Sequence, residues 1–389
     1  MEGLQGIFRR YFPSYRQRHQ MCVRELHAAE SIMQCRTAAL GGHVESCPEG
    51  HTLRVHYNSC KHRSCTRCNG LPQERWLQAR KGMLLDCPHY HLVFTVPHEF
   101  VPLWQYNRAA FMNLLFQGVQ QALTTLLDDP RHLGARPGML MSFHSWGRNL
   151  SLHPHIHCLV TDGGLDAGGE WRRPRRSHFL PAKVLMLVFR GIMSQRLDRA
   201  LEQGGLVLPA GTDRFQWHRC IKKCRAKAWN VSLRERYDHG RGVMTYLARY
   251  VRGGPIHDRQ VSIEIDRIRL RYFSHQRQRK ESLLFSGDGF IAQFLQHVPE
   301  KGSQVVRGYG LYANGKHEAL NRARQCHGQE TVSKPRFLDW QSWIGQLEGR
   351  DYRRCETCRR PLRIIHVMPR QQSPPRVGGI SARREQCRA

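Results

Sequence analysis

The chain has 389 residues, and 61 Lys and Arg against 31 Asp and Glu leave it a formal charge of +30. Such a charge destabilises a compact state by self-repulsion unless a polyanion accompanies it, and each neutralised phosphate releases a counterion. Nucleic acid is therefore the expected partner rather than a membrane or a small molecule. No apolar run approaches the roughly 20 residues of a membrane span, since the most apolar stretch, Phe179 to Met193, is broken by Lys183 and Arg190. The first residues carry no signal-peptide pattern, so a cytoplasmic, nucleoid-associated protein is expected.

In chain order, residues 1–34 read as a basic helical N-terminus. Residues 35–86 hold many Cys, His and Gly and short β-like pieces, the look of a small metal-stapled module, with a helix-like stretch from Gln73 to Leu85. The larger body spans 87–300. It has a β-rich run at His89–Val96 and a helical period over Leu103–Leu127, then strands at Met139–Trp146 and His155–Thr161. Further helices are expected at Lys183–Gln203, Arg241–Val251 and Gly287–Val298, and a hairpin at Val261–Ile265 and Ile268–Phe273 around Asp266-Arg267. Residues 301–369 are more broken, an extension of the body, and 370–389 read as a disordered basic tail. Strands and helices mixed in this order predict an α+β protein, with helices packed on a sheet.

Leu152-His-Pro-His-Ile-His-Cys-Leu-Val-Thr-Asp162 is the most informative run. On a strand, side chains alternate between faces. Ile156, Cys158 and Val160 then form a core stripe, and His155 and His157 lie side by side on the other face, suited to holding one divalent metal. His153 shares their parity and is a third-ligand candidate, beside Asp162 and a residue distant in sequence. About ninety residues on, Met244-Thr-Tyr-Leu-Ala-Arg-Tyr-Val-Arg252 puts Tyr246 and Tyr250 on one face of a helix, flanked by Arg249 and Arg252. A phenolate attacks a phosphodiester well only when the phosphate charge is neutralised and the leaving oxygen stabilised, which a metal on the histidine pair would do. A covalent phosphotyrosine conserves the bond energy for later joining.

Trp146-Gly-Arg-Asn-Leu-Ser-Leu-His-Pro-His-Ile-His-Cys-Leu-Val-Thr-Asp-Gly-Gly164 followed by Tyr246-Leu-Ala-Arg-Tyr250 resembles the two-tyrosine transposases of rolling-circle insertion sequences, members of the HUH endonuclease superfamily. Arg307-Gly-Tyr-Gly-Leu-Tyr-Ala-Asn314 looks like a further block of that family, which also begins with a cysteine-rich zinc module. The resemblance implies an HUH-type antiparallel sheet flanked by helices. It implies that His155 and His157 hold Mg²⁺ or Mn²⁺ and that Tyr246 and Tyr250 are the nucleophiles. Cleavage of single-stranded DNA at element ends and target would leave a 5′-phosphotyrosine and a free 3′-OH.

Cys47-x3-His51 and Cys60-x4-Cys65-x2-Cys68 offer ligands for a structural Zn²⁺, which takes four N or S donors. Cys65 and Cys68 are the better-defined pair, Cys47 and His51 the expected first pair, and Cys60 a competitor. Relatives often carry Cys-x2-Cys in the first knuckle and a His directly before the second. Here His51 replaces one Cys, and Ser64 fills the other position with a histidine at His62. Lys61, Arg63 and Arg67 around the knuckle would face phosphate. Cys355-Glu-Thr-Cys358 reads as half of a second zinc site, with Cys326-His327 as a weak candidate for its partner. The runs Trp171–Arg176, Arg219–Trp229 and Arg267–Lys280 mix cations with aromatics, as a single-strand channel would. A plasmid relaxase or replication initiator would use the same histidines and tyrosines. A non-catalytic zinc regulator would bind DNA without a covalent adduct.

Overall fold

The computed structural model describes residues 3–174, 180–238, 254–274, 277–332 and 337–371. The helix expected at Arg241–Val251 and nearly all of the tail expected at 370–389 lie outside these residues. The protein is a mixed α+β structure built on antiparallel sheets, as expected. The largest sheet has the order β11-β4-β5-β3-β7, with β6 paired to β5. Its strands are β3 (His89–Thr95), β4 (Arg136–Trp146), β5 (Leu152–Leu165), β6 (Trp171–Arg172), β7 (Asn230–Tyr237) and β11 (Val306–Gly310). Every residue of β3 is buried, because this central strand is covered on both faces.

One face of the sheet carries Leu92, Phe94, Met139, Met141, Phe143, Ile156, Cys158 and Val160, buried in the main core. Helices α4 (Val101–Tyr106), α5 (Arg108–Leu127), α6 (Ala182–Glu202) and α7 (Arg214–Arg225) supply the other side of that core. Phe189 of α6 meets Phe94 edge-on at 5.2 Å and Trp229 at 5.5 Å, the quadrupole-favoured geometry for aromatic pairs. On the opposite face Leu140 and Leu159 pack with Leu311, Tyr312, Leu320 and Ala323, so the helix His317–Cys326 covers one end and leaves the other to polar side chains.

A second core joins elements far apart in sequence. Helices α1 (Leu4–Arg18) and α2 (Val23–Gln34) pack with the helix Gly287–Leu295 and with the antiparallel sheet β8 (Val261–Glu264), β9 (Arg267–Ser274) and β10 (Arg279–Phe285). The basic N-terminus is thus part of a core. Buried Gln5 donates its amide to the carbonyls of Ile32 (3.0 Å) and Cys35 (2.8 Å), satisfying the open end of α2. Asp258 accepts from Leu4 N–H (2.9 Å) at the start of α1 and from Thr66 Oγ1 (2.7 Å) in the cysteine loop.

A third sheet has the order β12-β1-β2, from β1 (Gly42–Ser46), β2 (Leu53–Tyr57) and β12 (Arg363–Met368). The chain therefore returns from its far end to the cysteine-rich module, and β11 lies in the main sheet across the boundary expected at 300. The helix expected near Gln73–Leu85 is α3 (Gly70–Lys81). Among the described residues, no helix is long and apolar enough to cross a membrane.

The Arg307–Asn314 block owes its two glycines to close approach. A Cβ on Gly308 would lie 1.9 Å from the Tyr312 carbonyl oxygen, and Gly310, at φ +59°, would meet the Pro137 carbonyl oxygen at 1.9 Å. Gly308→Ala forces the strand away from the turn at Tyr312 that follows it. It is expected to cost on the order of 3 kcal/mol, read as a fall in melting temperature; an unchanged melt would show that the strand yields freely.

Candidate active site and zinc clusters

The histidine pair sits where strand parity puts it. On β5, Ile156, Cys158 and Val160 enter the main core, and His155 and His157 face the opposite side. Their cross-strand neighbours on β4 are His144 and Ser142, and on β3 Thr95 and Val93. The donor atoms of His144, His155 and His157 all lie within 4.8 Å of one another. His144 is thus the third imidazole at the site, and sequence reasoning missed it. His153 is not in that group: its ring centre lies 5.0 Å from that of His155, and its backbone carbonyl accepts from His155 Nδ1 at 2.6 Å. Asp162 is also removed from the group, paired with Arg236 at 3.1 Å.

The tautomer of His155 follows from these contacts. A carbonyl only accepts, so His155 Nδ1 carries the proton and its Nε2 offers a lone pair. His157 Nε2 lies 3.0 Å from His155 Nε2, and its Nδ1 is 2.9 Å from His91 Nε2. With the His157 Nδ1–H donated to His91, both Nε2 lone pairs converge. A 3.0 Å separation matches adjacent ligands of an octahedral cation at about 2.1 Å. Burial holds His155 down to about 4 and His157 well below the ordinary range, so both imidazoles are neutral at pH 7. His144 stacks on Trp146 at 4.9 Å between ring centres, which fixes its ring. Three imidazoles fit a divalent metal, and fit Mn²⁺ better than the oxygen-seeking Mg²⁺.

The turn leading into β5 is held from behind. His297 Nε2 donates to the Leu150 carbonyl at 2.8 Å, and Gln293 Nε2 donates to the same oxygen at 2.6 Å. Leu150 itself adopts φ 65°. At the other end of the sheet, His89 Nδ1 donates to the Cys87 carbonyl (2.8 Å) and Nε2 accepts from the Tyr312 hydroxyl (2.7 Å), which accepts from Leu85 N–H (3.2 Å). Burial holds both His89 and His297 at about 4. The unfolded chain takes up protons below about 6.5 while the folded chain does not. Stability is therefore fully present above pH 6.5 and falls between pH 6.5 and 4, by up to about 3 kcal/mol for each histidine. Denaturation midpoints at pH 7.5 and pH 5 check this: a lower midpoint at pH 5 is expected, and equal midpoints would contradict it.

Tyr246, Tyr250, Arg249 and Arg252 lie outside the described residues. The flanking residues are placed: Tyr237 ends β7 with its ring 6.5 Å from His91. Gly254 abuts the cysteine loop, where an added Cβ would lie 3.3 Å from the Ser64 carbonyl oxygen.

The cysteines form two groups, and the expected grouping is corrected. Cys35, Cys60, Cys65 and Cys68 bring their donor atoms within 4.8 Å of one another, and Cys47 and His51 do so with Cys355 and Cys358. Cys47 and His51 are therefore not partners of Cys65 and Cys68, because β1 and β2 carry their knuckle to the C-terminal strand β12. Cys60 is a full member of the first group, with its Sγ 3.6 Å from Cys68 Sγ. Cys35, at the end of α2, completes it. Its signal was present as one of six cysteines in the first seventy residues. Cys326 and His327 are elsewhere, with Cys326 exposed and His327 against Trp171. Four thiol donors at this spacing fit tetrahedral zinc.

Of the expected phosphate-facing cations, Lys61 is exposed, Arg63 reaches the Ser303 carbonyl at 3.2 Å, and Arg67 donates to Gln5. Lys61 and Arg63 line an open groove with Arg80, Arg307, Trp76 and Tyr309, between the cysteine loop and the edge strand β11. The run Arg219–Trp229 is less available than its composition suggested. Ile221, Cys224 and Trp229 are buried, and the Trp229 indole donates to the Cys224 carbonyl at 3.0 Å, so that ring cannot stack on a base.

Comparison with known proteins places the chain. A family model described as "Transposase zinc-binding domain" matches residues 7–96, and one described as "Putative transposase" matches residues 138–319. The protein named "Putative transposase y4qJ" from Sinorhizobium fredii is 34% identical over 385 residues, 95% of this chain and 96% of its own. The transposase for insertion sequence element IS801 of Pseudomonas savastanoi pv. phaseolicola is 29% identical over 299 residues, 75% of this chain and 70% of its own. A solved conjugative relaxase in complex with oriT DNA is similar over 41% of this chain and 68% of that one, at 13% identity and a TM-score of 0.21, a superposition too loose to carry an argument. Zinc is thereby a component of the N-terminal module, and DNA is the substrate class. The chain belongs to the two-tyrosine transposase family of IS91-type insertion sequences, enzymes that begin with a zinc-binding domain.

Proposed function

We propose that this transposase nicks single-stranded DNA at the ends of its element and at the target, through a 5′-phosphotyrosine, in rolling-circle transposition. The observation that carries the reading is the pair of neutral imidazole nitrogens of His155 and His157, 3.0 Å apart, with His144 beside them. These three residues would hold Mg²⁺ or Mn²⁺. When bound, the cation neutralises the scissile phosphate and stabilises the departing 3′ oxygen. Tyr246 or Tyr250 attacks the phosphorus. The P–O3′ bond breaks, the phosphate stays on the tyrosine, and the 3′ oxygen leaves as a hydroxyl after taking up a proton. The second tyrosine serves the other cleavage or the target strand.

The remaining parts follow the same reading. Cys35, Cys60, Cys65 and Cys68 hold a structural zinc that stiffens the loop bearing Lys61 and Arg63. The groove of Lys61, Arg63, Arg80 and Arg307 tracks phosphates, and Trp76 and Tyr309 offer rings to unstacked bases. Arg249 and Arg252 would contact phosphate beside the nucleophiles.

The test is cleavage of labelled single-stranded and duplex oligonucleotides carrying an element end, across a titration of each metal. Cleavage confined to the single strand, at lower Mn²⁺ than Mg²⁺, is expected. Metal-independent or duplex-only cleavage would refute the reading.

A further inference from the structure

The cluster of Cys47, His51, Cys355 and Cys358 lies outside the chemistry above and only half within the matched zinc-binding domain, which ends at residue 96. We propose that these four residues bind a second zinc ion, in a closed site of three thiolates and one imidazole that clasps the C-terminal strand to the N-terminal module. The inference is independent of the nicking reaction.

The geometry is that of two metal knuckles facing each other. Cys47 and His51 flank a tight turn in which Gly50 N–H donates to the Cys47 carbonyl (2.9 Å) and Cys47 N–H to the Thr52 carbonyl (2.9 Å). Gly50 takes φ +75° there. Cys355 and Cys358 form the counterpart: Cys355 N–H donates to the Arg360 carbonyl (2.9 Å), Arg359 N–H to the Cys355 carbonyl (3.0 Å), and Arg359 takes φ 59°. Cys47 Sγ lies 3.4 Å from Cys358 Sγ and 3.8 Å from His51 Nδ1. Zinc with Zn–S bonds of about 2.3 Å holds its ligand sulfurs roughly 3.8 Å apart, close to the spacing already present. Cys47, Cys355 and Cys358 are all free thiols. Glu49 N–H points at Cys47 Sγ at 3.4 Å, the kind of donor that orients a thiolate ligand.

The surrounding sheet gives the reason a metal is needed. Cys47 and Cys355 are buried at 3% and 0% exposure, but Leu53, Ile364 and Val367 are exposed at 67%, 59% and 67%. The sheet β12-β1-β2 thus buries little apolar surface, and small modules of that kind are ordinarily stapled by metal or disulfide. The ion pairs Arg54–Glu356 (2.8 Å) and Arg360–Glu49 bracket the knuckles, but exposed pairs contribute little. Four ligands from two ends of the chain, with no open position, make the site structural.

The experiment uses the full chain. Zinc content by mass spectrometry should be two ions per chain, falling to one in Cys355→Ser/Cys358→Ser, with the far-ultraviolet spectrum unchanged. Limited proteolysis should then cut the variant, and not the parent, N-terminal to β12. Should the variant fail to fold, ¹¹³Cd exchanged into the parent chain gives the same answer: two resonances, one of a four-thiolate site and one of a site with three thiolates and an imidazole. A single zinc ion or a single cadmium resonance in the parent overturns the proposal, as does a variant that keeps two zinc ions.

Discussion

Alanine at both His155 and His157 is expected to lower metal-dependent strand cleavage about a thousandfold or more, with thermal stability and DNA retention nearly intact. Several kcal/mol of transition-state charge stabilisation come from a divalent cation on a scissile phosphate, and about 4 kcal/mol corresponds to that factor. The rest of the protein has little reason to respond. The pair lies on the face of β5 opposite the main core, which is filled by Ile156, Cys158 and Val160. His144→Ala should cost less, since two ligands remain, and should raise the Mn²⁺ concentration needed. Cleavage assays over a metal titration read both effects. A double variant that keeps most of its activity would remove the histidines from the chemistry.

The second large effect concerns the first cysteine group. Cys65→Ser/Cys68→Ser should release that zinc and melt the second core at a lower temperature than the main sheet, splitting one calorimetric transition into two. Structural zinc sites carry about 10–16 kcal/mol of apparent binding energy in small domains, so even a fraction of that is large beside ordinary stability. The loss reaches beyond the loop because Cys35, Cys65 and Cys68 are packed among Leu4, Ile7, Phe8 and Phe294. Without the metal, two serine hydroxyls would stand in that core beside the remaining thiols of Cys35 and Cys60. Gly254, which follows the two-tyrosine segment, rests on this same loop, so cleavage should fall as well. An unsplit melt at the parent temperature would contradict the assignment.

What the sequence made legible was periodic. Alternation along residues 155–161 leaves no freedom once one face is buried, so the direction of both histidines could be read directly. The third imidazole was different in kind. His144 lies in a strand that the pattern revealed, but its place beside His155 is a matter of inter-strand register, which local sequence does not write. The zinc ligands divide the same way. Spacing identified Cys65 with Cys68 and Cys355 with Cys358, because a knuckle is local. Which knuckles meet depends on β12 crossing back to β1, with His43 opposite Val367, and proximity along the chain suggested the wrong partners. Composition overstated the run Arg219–Trp229, since a cation-rich helix can bury Ile221 and Cys224 on its inner face.

The most direct test of the central claim is mass spectrometry of the chain after reaction with a single-stranded element end and Mn²⁺. After nuclease and protease digestion, a nucleotide should remain joined through its 5′ phosphate to a peptide containing Tyr246 or Tyr250, and the adduct should disappear in Tyr246→Phe/Tyr250→Phe. Cleaved DNA with a free 5′ phosphate and no modified tyrosine would mean that water, rather than the protein, is the nucleophile.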